Sequence, residues 1–288
     1  MAQQDTDVFV RLERFYDALP RPYARAEDFG GLVLFVREGE GWPYYARPRI
    51  GAGTPSAADI TAVRQRQREL GLPEAFEWVH ETTPDLLAVA RSAGLDVLLA
   101  PLLVLDPAAL VPDLPVEGGT LRFLDPDGPA FADELASSRA VAQLGFGAPA
   151  DKPSPLSGAL IVAPAGPAER DAATGALSKA LVASQQERSS TGDYHTAVID
   201  SPDGLLATGA VMRSGDVAEI AGVATLPAAR RRGYASQITA ALARRALADG
   251  VRLVFLSAGD DDVARLYTKV GFRRIGTACI GEPAAAPL

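Results

Sequence analysis

A stretch near the end of the chain has a worn copy in its first half. "ITAVRQRQRELGLPEAFEWVHETTPDLLAVARSAGLDVLL" lines up with "ITAALARRALADGVRLVFLSAGDDDVARLYTKVGFRRIG". Gly94 stands 177 positions before Gly271, and the same offset carries Val263, Leu266, Tyr267 and Val270 onto Leu86, Val89, Ala90 and Ala93. Those four positions have the i, i+3, i+4, i+7 spacing of one buried helical stripe. Leu253 and Phe255 fall on Phe76 and Trp78, in what reads as the strand before each helix. Any strand–helix–strand unit gives some match of this kind. The shared glycine and the shared apolar ending favour duplication. Two similar halves of mixed strand and helix are therefore expected, and they differ at one telling position: Ala90 stands where the second half has Tyr267.

The halves meet in "DPAALVPDLPVEGGT", Asp106 to Thr120, which is rich in Pro and Gly and has no sustained periodicity. It reads as a linker, giving domains at 1–110 and 120–288 with residues 111–119 between them. A second such stretch, Gly147 to Pro167, reads as a long loop inside the second domain. That domain predicts strand "TLRFLD", helix "GPAFADELASSRAVAQLG" and helix "ERDAATGALSKALVASQQER". A strand pair "DYHTAVID" and "LLATGAVMR" follows around the turn "SPDG", then strand "DVAEIAGVATL". A helix, strand "RLVFLSA", helix "DDVARLYTKVGF" and strand "RRIGTACIG" close the order β-α-α-β-β-β-α-β-α-β. Asp260 to Asp262 crowd the start of the last helix, where negative charge suits the dipole and one acid can cap.

Composition excludes several function classes. The 288 residues are 48% hydrophobic and 22% charged, enough for a sizeable core. A net charge of −8 and a pI of about 4.9 argue against a nucleic-acid binder. An acidic surface suits cationic partners such as amines, although solubility alone explains it equally simply. Cys279 is the only cysteine, so no intrachain disulfide can form, which fits a reducing cytoplasm. The first residues, "MAQQDTDVFVRLERFYD", lack a signal-peptide core. "DVLLAPLLVL", the longest apolar run, is too short to span a bilayer and reads as a buried strand interrupted by Pro101. The two histidines, His80 and His195, are far apart and have no cysteine pair or carboxylate cluster beside them. No metal site and no hydrolase triad is expected.

"LPAARRRGYASQITAALARRAL", Leu226 to Leu247, places Arg230, Arg231, Arg232 and Gly233 directly before a helix-forming run. A helix start exposes backbone N–H groups at a positive dipole end, and glycine allows close approach to the main chain. The string describes an anion site suited to phosphate or pyrophosphate. It is neither the Walker form nor the dinucleotide fingerprint. Taken alone, a solvated basic helix start would explain it as well.

Its context is what gives the string meaning. Set between "AEIAGVATL" and a strand that leads to "ARLYTKVGF", it resembles the GCN5-related N-acetyltransferase (GNAT) superfamily, with its R/Q-x-x-G-x-G/A loop, at Arg230, Gly233 and Ala235. The clear match covers about 219–276 and extends more loosely back to Thr120; the first half is a degenerate copy. The resemblance implies an α/β (α+β) GNAT fold, a mixed and mostly antiparallel sheet flanked by helices, with two GNAT-like domains in tandem. It implies acetyl-CoA as acyl donor and no metal. Backbone N–H groups of Arg231, Arg232, Gly233, Tyr234, Ala235 and Ser236 would cradle the pyrophosphate. Val223, Ala224 and Thr225 would bind the pantetheine arm like an added strand. The family's N-x-x-A-x-x-L-Y places Asp261 and Ala264 against the cofactor, though Asp261 replaces an amide donor with a carboxylate. Glu219, fourteen positions before Gly233, is similar to the family's glutamate base, with a strand ion pair as the plain alternative. Tyr267 matches the tyrosine that reaches the sulfur as acid. A backbone N–H near Val223 would steady the oxyanion.

The expected activity is acetyl transfer to a primary amine in a ternary complex. A catalytically inactive acyl-CoA-binding or sensing module is the rival reading. The acceptor is expected to be a small-molecule or peptide amine, and the protein a cytoplasmic monomer or homodimer of a high-GC bacterium without nucleic-acid or membrane partners.

Overall fold

The computed structural model describes residues 3–113, 115–147 and 164–284. In chain order the elements are α1 (Gln3–Ala18), β1 (Ala24–Phe29), β2 (Leu32–Arg37), β3 (Arg47–Pro48), α2 (Ala57–Glu69), β4 (Phe76–Val79), α3 (Leu86–Ser92) and β5 (Leu95–Leu105). There follow β6 (Thr120–Phe123), α4 (Phe131–Gly147), α5 (Pro167–Ala173), α6 (Lys179–Ser190), β7 (Tyr194–Ser201), β8 (Gly204–Ser214) and β9 (Val217–Thr225). The chain closes with α7 (Tyr234–Ala248), β10 (Leu253–Ser257), α8 (Asp261–Val270) and β11 (Phe272–Pro283). The mixed, mostly antiparallel sheet with flanking helices agrees with the expected fold class. None of the helices among the described residues is long and apolar enough to cross a membrane.

Two compact units form, each made of more than one stretch of the chain. Met1–Val104, Phe255–Thr268 and Phe272–Leu288 make one; Leu105–Val254 with Lys269–Gly271 makes the other. The reason lies in strand pairing within the first unit, where the sheet runs β4-β11-β5-β10. β10 pairs antiparallel with β5, setting Phe255 opposite Val104 and Ser257 opposite Leu102. β11 pairs antiparallel with β4, setting Ala278 opposite Val79 and Gly281 opposite Phe76. Each copy of the repeat is a strand–helix–strand unit, β4-α3-β5 and β10-α8-β11, and the last strand of each pairs with the first strand of the other. The two copies have exchanged their closing strands.

The local sequence permits this exchange. Residues 100–105 are buried at every position, the pattern of a strand covered on both faces. β5 runs straight through Pro101, which the sequence had suggested would interrupt it. Pro101 sits where β10 ends and accepts a hydrogen bond from Ala258 N–H at 2.9 Å, so its missing donor is not needed there. Leu32, Leu34, Ile60, Val63, Trp78 and Leu86 lead the core of this unit. On α1, Phe15 and Tyr16 turn their rings edge-on to Phe255, at 5.2 and 5.4 Å between centroids.

In the second unit the strands run β9-β8-β7-β6, all antiparallel neighbours. α4 lies on one face, where Ser138 Oγ meets Thr208 Oγ1 at 2.7 Å. α7 lies on the other; a Cβ at Gly209 would come within 2.7 Å of Ile238, so the absence of a side chain is what lets this helix seat. The expected second helix of this domain is two, α5 and α6. They are separated at Thr174–Ser178, where Gly175 interrupts and Ser178 Oγ caps α6 by accepting from Leu181 N–H at 3.1 Å. Most of the expected loop 147–167 lies outside the described residues. The expected linker, by contrast, is tied down. Tyr234 Oη donates to the Glu117 carbonyl at 2.6 Å and Gln237 Nε2 to the Pro115 carbonyl at 2.8 Å. Arg244 Nη2 donates to the Val111 carbonyl. Positions 234, 237 and 244 lie on one face of α7, so Val111, Pro115 and Glu117 are fastened along that helix.

Candidate functional site

The second unit gathers most of the residues singled out in the sequence. On β9 the register with β8 shifts between Thr208 and Ala210: Ala224 faces Thr208 while Ala221 faces Ala210. The extra residue is a β-bulge, and Gly222 adopts φ +64° there, a left-handed conformation that any side chain would strain. A bulge releases main-chain groups from the ladder and bends the strand. Here it falls between Glu219 and the Val223–Thr225 segment. Glu219 is buried, at 9% exposure, and pairs across the ladder with Met212.

Beyond β9 the chain makes a single 3-10 turn at Pro227–Ala229 and then turns into α7. Arg231 takes φ +67°, the only left-handed non-glycine among the described residues. Such a residue costs roughly 1–2 kcal/mol and points to a loop shaped for a purpose. Gly233 is the N-cap of α7 at φ +79°, ψ 3°, and no side chain caps the helix. Backbone N–H groups from Arg231 through Ser236 donate no main-chain hydrogen bond among the described residues, the first such bond being Gln237 N–H to the Gly233 carbonyl. The result is an uncapped helix start with consecutive open donors at the positive end of a 15-residue helix.

The arginines divide in role. Arg230 Nη2 donates to the Gly145 carbonyl at 2.8 Å and so ties the last turn of α4 to the loop. Arg231 and Arg232 are exposed, with no ion pair to a described residue, beside exposed Gly233. Tyr234 is 1% exposed and its ring belongs to the core, its hydroxyl donating to the Glu117 carbonyl; only its amide faces the opening role expected of it. Ala235 and Ser236 complete the first turn of the helix, half-buried.

Asp261, Ala264 and Tyr267 lie in the first unit, on α8. The helix is capped by Asp260, whose Oδ1 accepts from Val263 N–H at 2.8 Å. The expected stripe is rotated slightly: Ala264, Tyr267 and Val270 are buried, Leu266 is half-buried, and Val263 is exposed. Asp261 is held by Arg274, whose Nη1 donates to its Oδ1 at 2.9 Å, which offsets the carboxylate charge. Tyr267 stacks edge-on to Phe272 at 6.3 Å, and burial pushes its hydroxyl up to about 12. It is therefore a neutral phenol at any physiological pH.

The degenerate half shows what a closed version of the same helix start looks like. Ser56 caps α2, its Oγ accepting from Asp59 N–H, while the Asp59 carboxylate accepts from Ser56 N–H at 2.8 Å and Gly31 N–H at 3.3 Å. At α2 the N-cap and third-position donors are met by the chain's own carboxylate and hydroxyl; at α7 the matching donors stay open. Those backbone bonds hold Asp59 below the usual carboxylate range.

Three of these features were not read from the sequence: the bulge at Gly222, the Arg230–Gly145 tie, and a row formed by Tyr194, Met212 and Glu219. A glycine inside a strand pattern is the one signal that could have pointed to the bulge.

Residues 201–280, which hold β9, the loop, α7 and α8, match the family described as FR47-like protein. Three solved structures align over nearly the whole chain. A GCN5-related N-acetyltransferase from Kribbella flavida matches at 22% identity and a TM-score of 0.64, covering 94% of this chain and 95% of that one. A GCN5-related N-acetyltransferase-like protein from Streptococcus suis matches at 14% and 0.55, covering 96% and 98%. A GNAT-family protein from Novosphingobium aromaticivorans matches at 16% and 0.52, covering 94% and 96%. No protein of curated function matches the sequence.

Proposed function

Starting from the fold of the GCN5-related N-acetyltransferases, we propose that this chain transfers an acetyl group from acetyl-CoA to a primary amine. The observation that supports this best is the uncapped start of α7, where open amides from Arg231 to Ser236 stand beside two arginines without ion pairs. Such a turn suits a pyrophosphate, each charge-assisted N–H···O bond being roughly twice as strong as a neutral one. The bulge at Gly222 frees strand backbone for the pantetheine amides at Val223–Thr225 and leaves an N–H for the oxyanion.

In the proposed reaction Glu219 takes a proton from the ammonium, through water. The amine nitrogen attacks the thioester carbonyl, the tetrahedral intermediate loses a second proton, and the C–S bond breaks. The products are an acetamide, coenzyme A thiol and one net proton. A phenol held at about 12 is a weaker acid than a thiol of about 8.5. Tyr267 therefore acts best as a hydrogen-bond donor to the departing sulfur, with the thiol taking its proton from the medium. No metal takes part in this scheme.

Calorimetric titration with acetyl-CoA, and with ATP as a control, tests the binding step, and thiol release with an amine panel tests turnover. Arg232→Glu is expected to weaken acetyl-CoA binding by about tenfold or more through charge reversal beside the phosphates. Unchanged affinity would place the site elsewhere. Acetyl-CoA binding without thiol release for any amine would favour the sensing module.

A further inference from the structure

Facing pairs in an antiparallel ladder share one side of the sheet, so the pairs Tyr194–Met212 and Met212–Glu219 make a row across β7, β8 and β9. The row lies on the α4 face, since Thr208, which meets Ser138 of α4, is in phase with Met212 along β8. Over the Tyr194 end stands α6. Arg188 sets its guanidinium carbon 4.8 Å from the centre of the Tyr194 ring. One turn earlier on the same side of α6, Gln185 Nε2 is buried without a hydrogen-bond partner. A buried amide donor left unmade costs about 1–3 kcal/mol, recovered when an oxygen comes to meet it. Burial pushes the Tyr194 phenol up, and Arg188 and then Arg139 of α4 pull it back, so both guanidinium groups project positive potential onto that hydroxyl. Arg139 is exposed and has no ion pair among the described residues.

We propose that the amine acceptor carries a carboxylate, bound by Arg188, Arg139 and Gln185 above Tyr194, while its amine reaches Glu219 at the other end of the row. The inference rests on the acetyltransferase reading and names the substrate class of that same site. Two strand spacings separate the ends, ~10 Å between backbones, so the two groups of the acceptor are set apart by a spacer of several bonds. A planar carboxylate accepts from an arginine fork and an amide together. The acidic surface as a whole suggests a polyamine, but the second cation of a diamine would sit beside two guanidinium groups, where like charges repel.

The experiment uses the full chain and acetyl-CoA. Thiol release is measured with 4-aminobutanoate, 5-aminopentanoate and 6-aminohexanoate against the diamines of the same carbon lengths, and acetyl-CoA affinity is measured in parallel. At least one amino acid of the series is expected to exceed its diamine tenfold or more in kcat/KM. Arg188→Met and Gln185→Leu should raise KM for that amino acid tenfold with a smaller change in kcat, and Arg188→Lys should restore part of the loss. Thermal melts of each variant report whether the fold survives; if Arg188→Met fails to fold, Gln185→Leu and Arg139→Met carry the test. Diamines turned over as well as the amino acids, or a preference untouched by these substitutions, would overturn the carboxylate site while leaving the transferase standing. Absence of acetyl-CoA binding would remove both.

Discussion

Tyr267 and His195 are both buried, and burial moves each in the direction that favours its neutral form. For Tyr267 this means a phenol that stays protonated below about 12. Tyr267→Phe keeps the ring and its contact with Phe272 but removes the donor. Turnover is expected to fall about 100-fold with acetyl-CoA affinity changed less than twofold, as read by paired steady-state and calorimetric measurements. Equal loss of both would make the ring a packing residue only. His195 lies 3.0 Å from Asp249 through Nε2, and its value is lowered first by burial and then by Arg245, against the pull of Asp249. A histidine depressed in the fold binds fewer protons there than in the unfolded chain, so stability is lost as pH falls below the ordinary value of about 6.5. Urea midpoints should drop from pH 7 to pH 5, and His195→Gln should flatten that slope. A slope unchanged by the substitution would assign it to other groups.

At the scale of elements, the two helix starts are a natural comparison. α2 is closed by Asp59 at its third position, and Ser236 holds the third position of α7. Ser236→Asp should bring the same carboxylate to α7, meeting the N-cap Gly233 N–H and repelling phosphate. Acetyl-CoA affinity is expected to fall at least tenfold while the melting temperature holds or rises, a dipole effect of roughly 0.3–1 kcal/mol. Ser56→Ala should cost about 1 kcal/mol of stability by thermal melt and leave that affinity alone. The sequence made much of this legible. A glycine and an apolar stripe at a fixed offset reported the repeated strand–helix–strand, and an arginine-glycine string ahead of a helix reported the open turn. Other features were not legible for physical reasons. A five-residue break between α5 and α6 depends on how Gly175 and Ser178 turn the chain, which helical periodicity on either side conceals. Val263 turns outward and Ala264 takes the buried position, a choice that apolar character alone does not reveal. The row from Tyr194 to Glu219 depends on register across three strands, and no local signal encodes it.

Across the whole molecule, alternation and burial identify strands but leave their partners open, so the exchange of β5 and β11 had no signature in the sequence. Its consequence for stability is direct. β5 and β11 supply the antiparallel neighbours of β10 and β4, so residues 1–110 or 120–288 expressed alone would expose unpaired strand edges in a sheet built from both. Each fragment is expected to be insoluble or unfolded by circular dichroism, and co-expression is expected to restore a soluble complex. A fragment that melts cooperatively alone would show that the exchange is dispensable.

The traded strands also bear on how such a chain can change over generations. The first copy lacks the arginines ahead of its helix, and Ser56 and Asp59 close that turn instead. The strand that copy lends is a different matter: its loss would take the other copy down with it, so the silent half persists as a structural hostage.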